Sequence, residues 1–302
     1  MSESLSFSGA EPPSPTLSAR LSELAGFFAA PAAGRLTEEQ RALSLGIARR
    51  LIAEVAMRID PAIDSGALWQ AWLRSGIPGG TRLAGACFAR AEEHRWRRQS
   101  AERVIAVPLP SETPDEAAPA DASMTARERA YLDLRIADRR RFDAYGQPML
   151  AIADLDGDLF RALLHDVAAW RLAAVSVDTG RAADLGEAVR QAIERQADEP
   201  GMTAAAIAYH DALDGALPDA AREAIAAHDW PALIALAAAV QQRRYADMAL
   251  ALLTAEPSAL PSLLAPLHLD AEALAPLEAS LAMLPARAVS DFDVGAGPEG
   301  GR

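Results

Sequence analysis

Among the residues of this chain, three His-Asp dipeptides most closely resemble a catalytic motif. Imidazole and carboxylate groups together can hold a Lewis-acidic divalent cation that activates water. A metal-dependent phosphohydrolase of the HD type would combine an upstream histidine, a His-Asp pair and a distant aspartate. Because no further signature surrounds the dipeptides, capping or surface roles are the preferred interpretation and the hydrolase is the alternative. The dipeptides are His165-Asp166, His210-Asp211 and His228-Asp229, and the alternative would use His165, His210-Asp211 and Asp247.

Two other stretches contain residues that could bind metal or act as a nucleophile. The run Asp154-Leu-Asp-Gly-Asp158 opens like a calcium loop, but an EF-hand needs glycine at its sixth position and glutamate at its twelfth. Leu159 and His165 stand there, so the run is predicted to favour a helix N-terminus instead. Cys87 is predicted to be a small buried hydrophobe, since His94, two helical turns away, is too distant for a dyad along one helix.

Motifs for phosphate or acyl chemistry are absent from the sequence. The glycine-rich stretch 76–80 lacks the spacing and the lysine of a P-loop, and no Gly-x-Ser-x-Gly elbow occurs. We therefore predict no catalytic residue, no metal ligand and no cofactor.

The candidate binding site consists of two arginine-rich stretches, separated by an acidic one. One interpretation is a docking patch for an acidic partner, anchored by a tryptophan. The alternatives are a solvated helix face and a switch in which the acidic residues 108–122 fold back and mask the patch. The residues of the predicted patch are Arg95, Trp96, Arg97, Arg98, Arg139, Arg140 and Arg141.

The elements that must position these residues are predicted to be helices throughout. Alanine and leucine dominate, apolar residues recur with a period near 3.6, and β-branched residues rarely alternate with polar ones. Thr37 and Gln40 have the spacing of a capping box, and Asp64 is placed to cap the next helix. Many short helices joined by tight turns favour an all-α fold of stacked helix pairs, an α-solenoid of the HEAT-like type.

Proline and charge patterns predict the domain organisation. Residues 106–124 contain four prolines, four acids and no base, which is typical of a linker or a long loop. We therefore expect two helical regions, 16–105 and 125–284, which form either two lobes or one continuous solenoid, between disordered tails at 1–15 and 285–302.

Composition and charge exclude several classes of function. Residues 151–302 carry 10 arginines against 23 acidic residues, so phosphate is repelled and nucleic acid is not an expected partner. No apolar run is long enough to span a bilayer, and the N-terminus does not resemble a secretory signal. With a single cysteine as well, the sequence indicates a cytoplasmic protein.

The resemblance to a known family depends on the stretches Leu36–Val55, Asp158–Ala174 and His228–Leu269. They resemble an uncharacterised bacterial family, domain of unknown function 2336, and the resemblance covers roughly residues 36–284. It implies HEAT-like helical repeats and no established activity, and it supplies no catalytic residues. The long acidic segment and the lack of lysine depart from the family.

Together these observations predict a non-enzymatic helical scaffold or regulatory module that binds another protein. The oligomeric state is left open by the sequence.

Overall fold

The computed structural model describes residues 36–77, 80–106, 124–174 and 179–285, together with Leu24 and Arg287. The predicted tail 1–15, the predicted tail 285–302 apart from Pro285 and Arg287, and almost all of the acidic segment 106–124 lie outside the described residues. Within the described ranges the chain is helical and contains no β-strand, apart from one isolated bridge between Phe142 and Pro148. The predicted all-α class is therefore confirmed.

Twelve α-helices follow one another in the described part of the chain, interrupted by short 3-10 helices. The α-helices are α1 (Glu38–Ile59), α2 (Ser65–Ser75), α3 (Gly80–Ala106), α4 (Ala126–Arg139), α5 (Gly157–Ala174), α6 (Thr179–Asp198), α7 (Met202–Asp211), α8 (Leu217–Ala226), α9 (Trp230–Val240), α10 (Tyr245–Thr254), α11 (Leu260–Leu263) and α12 (Ala271–Ala282). The 3-10 helices are Ile152–Asp154, Pro257–Ala259 and Ala265–Leu267.

Capping side chains determine where several of these helices begin. Thr37 and Gln40 form the predicted capping box of α1, and Asp64 accepts hydrogen bonds from the first turn of α2. Asp229 caps α9 by accepting from the Ala232 amide. Each of these oxygens satisfies a backbone donor that the helix itself leaves free.

Two hydrophobic cores hold the helices together, and they do not follow the predicted lobes. The first core joins α1, α2 and the beginning of α3 to residues 150–192, which include α5 and most of α6. The second core joins Trp96 of α3 to α4 and to the helices after residue 201. α5 and α6 thus pack against the helices that precede the acidic segment, and the division into 16–105 and 125–284 stays a prediction.

Helix pairing is not limited to neighbours along the chain. α1 packs against α3, α5 and α6, and α10 packs against both α9 and α3. In a solenoid each unit contacts only the adjacent units. The HEAT-like solenoid therefore stays a prediction, whereas packed helix pairs are observed.

Among the described helices, none combines the length and the apolar character that crossing a membrane requires.

Candidate functional site: a buried charge cluster and its cleft

Glu93 on α3 is the centre of a buried cluster of charges. Its carboxylate accepts two hydrogen bonds from the Arg141 guanidinium, at 2.9 and 2.5 Å, and one from the Tyr245 hydroxyl at 3.0 Å. Arg90, one turn earlier on α3, lies 3.6 Å from the same carboxylate. Glu93, Arg90 and Arg141 are all buried, so these charges compensate one another away from water.

A second pair extends the cluster to the end of α4. Arg97 donates two hydrogen bonds to the Asp138 carboxylate, at 2.8 and 2.7 Å. Arg90, Glu93 and Arg97 are three and four residues apart, so α3 brings them to one face. Arg90 also donates to the carbonyl oxygens of Arg141 and Met149, which fixes the turn after α4 against α3.

The surroundings of Glu93 decide its protonation. Burial by itself would raise the pKa of the Glu93 carboxyl, but the charges of Arg141 and Arg90 outweigh burial and hold that pKa well below its usual range. Burial and the Glu93 charge raise the pKa of the Tyr245 hydroxyl well above its ordinary value. The carboxylate therefore stays ionised and the tyrosine stays a hydrogen-bond donor.

A separate charge group joins α1 to α3. Arg95 donates to Glu92 at 2.7 Å and to Glu39 at 2.9 Å, and Gln40 donates to Glu92 at 3.1 Å. Arg98 binds the other oxygen of Glu39 at 2.7 Å. These contacts tie the first turn of α1 to the middle of α3.

The predicted arginine patch is not a single exposed surface. Arg95, Trp96 and Arg141 are buried, and Arg97 is largely covered by its contact with Asp138. Trp96 stacks on Trp230 with ring centroids 4.6 Å apart instead of anchoring a partner. This correction has a physical reason: carboxylates from α1, α3 and α4 neutralise the arginines inside the fold. Of the seven residues, Arg98, Arg139 and Arg140 remain exposed.

The His-Asp dipeptides do not assemble into a metal centre. In the described ranges no three histidine, cysteine, aspartate or glutamate side chains are grouped so that they could hold a metal ion. His210 lies on the surface beside its own neighbour Asp211, and the His228 ring packs against Trp230. Asp229 caps α9 and also accepts a hydrogen bond from the Tyr131 hydroxyl.

The acidic run 154–158 caps two helices rather than one. Asp156 accepts from the amides of Asp158 and Leu159 at the start of α5, as the sequence predicts. Asp154 instead reaches the start of α7, where its Oδ1 accepts from the Met202 amide at 2.6 Å. Cys87 is fully buried, and burial raises the pKa of its thiol, so the thiolate form that a nucleophile requires is disfavoured.

A cleft opens over one side of the Glu93 cluster. It has a volume of about 290 Å³ and lies between α3, α10, the first turns of α5 and α7, and the segment that connects α4 to α5. Leucines from these elements form its apolar wall, namely Leu150, Leu155, Leu159 and Leu250. Arg90, Glu93, Arg141 and Asp154 line it as well, so the cleft combines apolar walls with buried charges.

Two buried atoms at this cleft have no hydrogen-bond partner in the structure: Nη1 of Arg90 and Oδ2 of Asp154. Buried polar atoms are nearly always satisfied, so an exception calls for an explanation. Burial raises the pKa of the Asp154 carboxyl, and the nearby charge of Arg141 only partly opposes this shift.

The outward face of α4 is a second candidate surface, because it exposes apolar side chains next to arginines. Leu132 and Ile136 are 47% and 43% exposed there. Arg129, Arg139 and Arg140 are exposed on the same face at helical spacing, and none of them forms an ion pair with another described residue. This face, defined by Arg129, Leu132, Ile136, Arg139 and Arg140, is called the α4 face below.

We compared the chain with protein-family models, with curated proteins and with solved structures. No match was found in any of the three comparisons. The resemblance to domain of unknown function 2336 therefore stays a prediction.

Sequence reasoning missed the acidic half of the buried cluster. Glu92 and Glu93 interrupt the arginine run. Glu93 lies three residues after Arg90 and four before Arg97, and this spacing was visible in the sequence. No comparable sequence pattern indicates Asp138 or Tyr245, because they contact α3 only through tertiary packing.

The pH dependence of stability is expected to include a contribution from His94. Burial and the charge of Arg90 lower the pKa of His94 from 6.5 to about 4. Between these values the unfolded chain binds a proton that the folded chain does not, so stability falls as the pH is lowered through this window. Below about pH 4 both states are protonated and the loss is complete.

Chemical denaturation between pH 4 and 7 measures this effect. His94→Gln is expected to make the fall in stability shallower over that window, whereas His165→Gln, at an exposed position on α5, should not. Identical pH profiles for wild type and His94→Gln would contradict the assignment.

Proposed function

We propose that this chain is a non-enzymatic helical interaction module that binds an acidic amphipathic helix of a partner protein through the α4 face. The proposal is supported by a single observation. Leu132 and Ile136 are exposed on the same face as three arginines that have no ion-pair partner among the described residues. We expect the interaction to take place in the cytoplasm, since one cysteine offers no disulfide.

The spacing of the α4 face fits a helical partner. Leu132 and Ile136 are four residues apart, so their side chains lie on one stripe of α4. An amphipathic helix docks through apolar anchors at i, i+3, i+4 and i+7. Its apolar stripe would cover these two side chains and remove them from water.

The charges of the α4 face select an acidic partner. Arg129 precedes the apolar pair, and Arg139 and Arg140 follow it, whereas Asp133 is an exposed acidic residue beside this face. Other arginines of α4 are already neutralised within the fold: Arg127 by Glu223 and Arg135 by Asp229. Free positive charge at both ends of an apolar stripe is complementary to carboxylates that flank the leucines of a partner.

The test uses a fluorescent synthetic helix with leucines at i, i+3, i+4 and i+7 and glutamates at the remaining positions. Anisotropy titrations with the full chain should show saturable binding that weakens as salt is added. Arg139→Glu together with Arg140→Glu should weaken it about ten-fold or more, because attraction becomes repulsion.

The control variant has the same change of charge at two exposed arginines outside the α4 face. Arg49→Glu with Arg74→Glu alters two exposed arginines on α1 and α2, one of them in the last turn of its helix, as Arg139 is. This variant should bind the peptide as the wild type does. Equal binding by the Arg139/Arg140 variant and the wild type, or equal binding of a peptide with arginines in place of the glutamates, would overturn the proposal.

A further inference from the structure

The last described residues follow α3 toward the cleft beside Glu93. The carbonyl oxygen of Met283 accepts from the Gln99 side chain, and two residues later the carbonyl oxygen of Pro285 accepts from Arg95 at 2.9 Å. The chain therefore runs antiparallel to α3, since two extended residues cover about one turn of a helix. This direction leads to the first half of α3, which lines the cleft.

The contacts with α10 lead in the same direction. The Arg287 side chain donates to the carbonyl oxygens of Leu253 and Ala255 at the end of α10. Leu250, which lines the cleft, lies on α10 one turn before Leu253. The chain thus leaves the described residues close to one end of the cleft.

The length of chain that follows is sufficient to enter the cleft. Gly85 lines the cleft and lies about 15 Å before Arg95 along α3, because each helical residue rises about 1.5 Å. An extended residue spans about 3.3 Å, so residues 286–290 cover about 16 Å. Ser290 can therefore reach the position of Gly85 if the chain continues along α3.

The cleft combines an apolar wall with two exposed arginines. The guanidinium groups of Arg82 and Arg244 lie 3.7 and 3.6 Å from the same carboxylate, that of Asp156, and their side chains are 68% and 41% exposed. Asp247 also lines the cleft, but within the described ranges it forms no ion pair. The two arginines therefore remain open to a further anionic group. The wall consists of Leu150, Leu155, Leu159 and Leu250.

The residues after Arg287 have the complementary chemistry. The run Val289-Ser-Asp-Phe-Asp-Val294 alternates apolar or small side chains with acidic ones. In an extended conformation, alternate side chains point to opposite sides. Phe292 would then share one side with Val294, and the two aspartates would share the other.

We propose that the segment 289–294 of this chain docks in the cleft in an extended conformation. Phe292 lies against the leucine wall, and the carboxylates of Asp291 and Asp293 face the two exposed arginines. A volume of about 290 Å³ has room for the phenylalanine ring.

The docked segment does not depend on the two unpartnered buried atoms. Nη1 of Arg90 and Oδ2 of Asp154 are covered by protein atoms, so the segment contacts the leucines and the exposed arginines instead. The cleft contains no residue of α4, so this site is independent of the α4 face and either proposal can fail without the other.

Disulfide trapping in the full chain tests the proposal. Ser290→Cys introduces a thiol of nearly the same size into the segment, and Gly85→Cys places its partner in the cleft, where a Cβ atom meets no atom within 4 Å. The native Cys87 does not compete, because it is fully buried. Under a mild oxidant this pair should form a disulfide within one chain, which peptide mass spectrometry identifies.

Ser258→Cys with Ser290→Cys is the matched control. Ser258 is exposed and lies three residues after Ala255, whose carbonyl oxygen binds Arg287, so the same segment can reach it. Ser258 does not line the cleft. The pair with Gly85→Cys should form its disulfide about ten-fold faster or more, since docking raises the local concentration of one thiol near the other.

Changes within the segment show whether its side chains are recognised. In the background of the cleft pair, Phe292→Ala removes the apolar anchor, and Asp291→Arg with Asp293→Arg reverses the charges. Each change should slow formation of the disulfide about ten-fold or more. Glu299→Arg reverses a charge outside the segment and should leave the rate unchanged.

Three results would each overturn the proposal. The first is an equal rate for the cleft pair and the control pair. The second is a rate that neither change within the segment alters. The third is a disulfide found only between two chains, which would assign the segment to the cleft of a second copy.

Discussion

Replacing Glu93 by glutamine is expected to lower the free energy of unfolding by about 3–5 kcal/mol, the range found when one member of a buried ion pair is removed. The amide keeps the size of the side chain but not its charge. Arg141 and Arg90 would then remain buried without the carboxylate that compensates them. Urea denaturation monitored by circular dichroism at neutral pH measures the loss.

The matched control is Glu187→Gln on α6. Glu187 is exposed and pairs with Arg190 at the surface, so the same chemical change should leave the free energy of unfolding nearly unchanged. If the two substitutions had equal effects, the Glu93 cluster would not be a stabilising feature of this fold.

Truncating Trp96 to alanine is the second change for which we expect a large effect, about 3–5 kcal/mol of stability. Trp96 is fully buried, stacks on Trp230 and donates from Nε1 to the Ser280 hydroxyl at 2.8 Å. Alanine would leave a cavity between α3, α9 and α12. Thermal and urea unfolding of the variant measure the effect.

Two further variants separate packing from hydrogen bonding at this position. Trp96→Phe keeps an aromatic ring and loses the bond to Ser280, so a smaller loss is expected than for alanine. Trp170→Ala truncates a partly buried tryptophan on α5 and should also cost less. A loss for Trp96→Ala no greater than that for Trp170→Ala would contradict the central role of the stacked pair.

Local sequence patterns predicted the helices well, because the groups that start a helix are close to one another in the chain. Thr37 with Gln40, and Asp64 before α2, satisfy backbone donors within three residues, so the sequence contains both partners. The region 257–267 is more irregular than the capped helices. Its prolines at 257, 261 and 266 coincide with a division into α11 and two 3-10 helices.

The arginine patch shows why the candidate site could not be predicted in the same way. A run of arginines has the same appearance in a sequence whether it faces water or carboxylates, and only the fold decides. Arg141 meets Glu93, which is 48 positions away, and Arg97 meets Asp138, which is 41 positions away. Partners at such separations leave no local pattern in the sequence. Arginines that the sequence suggests are exposed therefore lie in the interior of the fold.

The two cores also have a consequence for any attempt to divide this protein. α3 places Cys87, Phe88 and Ala91 in the first core and Trp96 in the second, so a single rigid helix belongs to both. A fragment that ends before residue 107 would contain α3 but lack α5 and α6, which complete the first core. A fragment that begins at residue 124 would lack Trp96 and the whole of α3. Neither fragment contains a complete core, so we expect that neither would fold on its own.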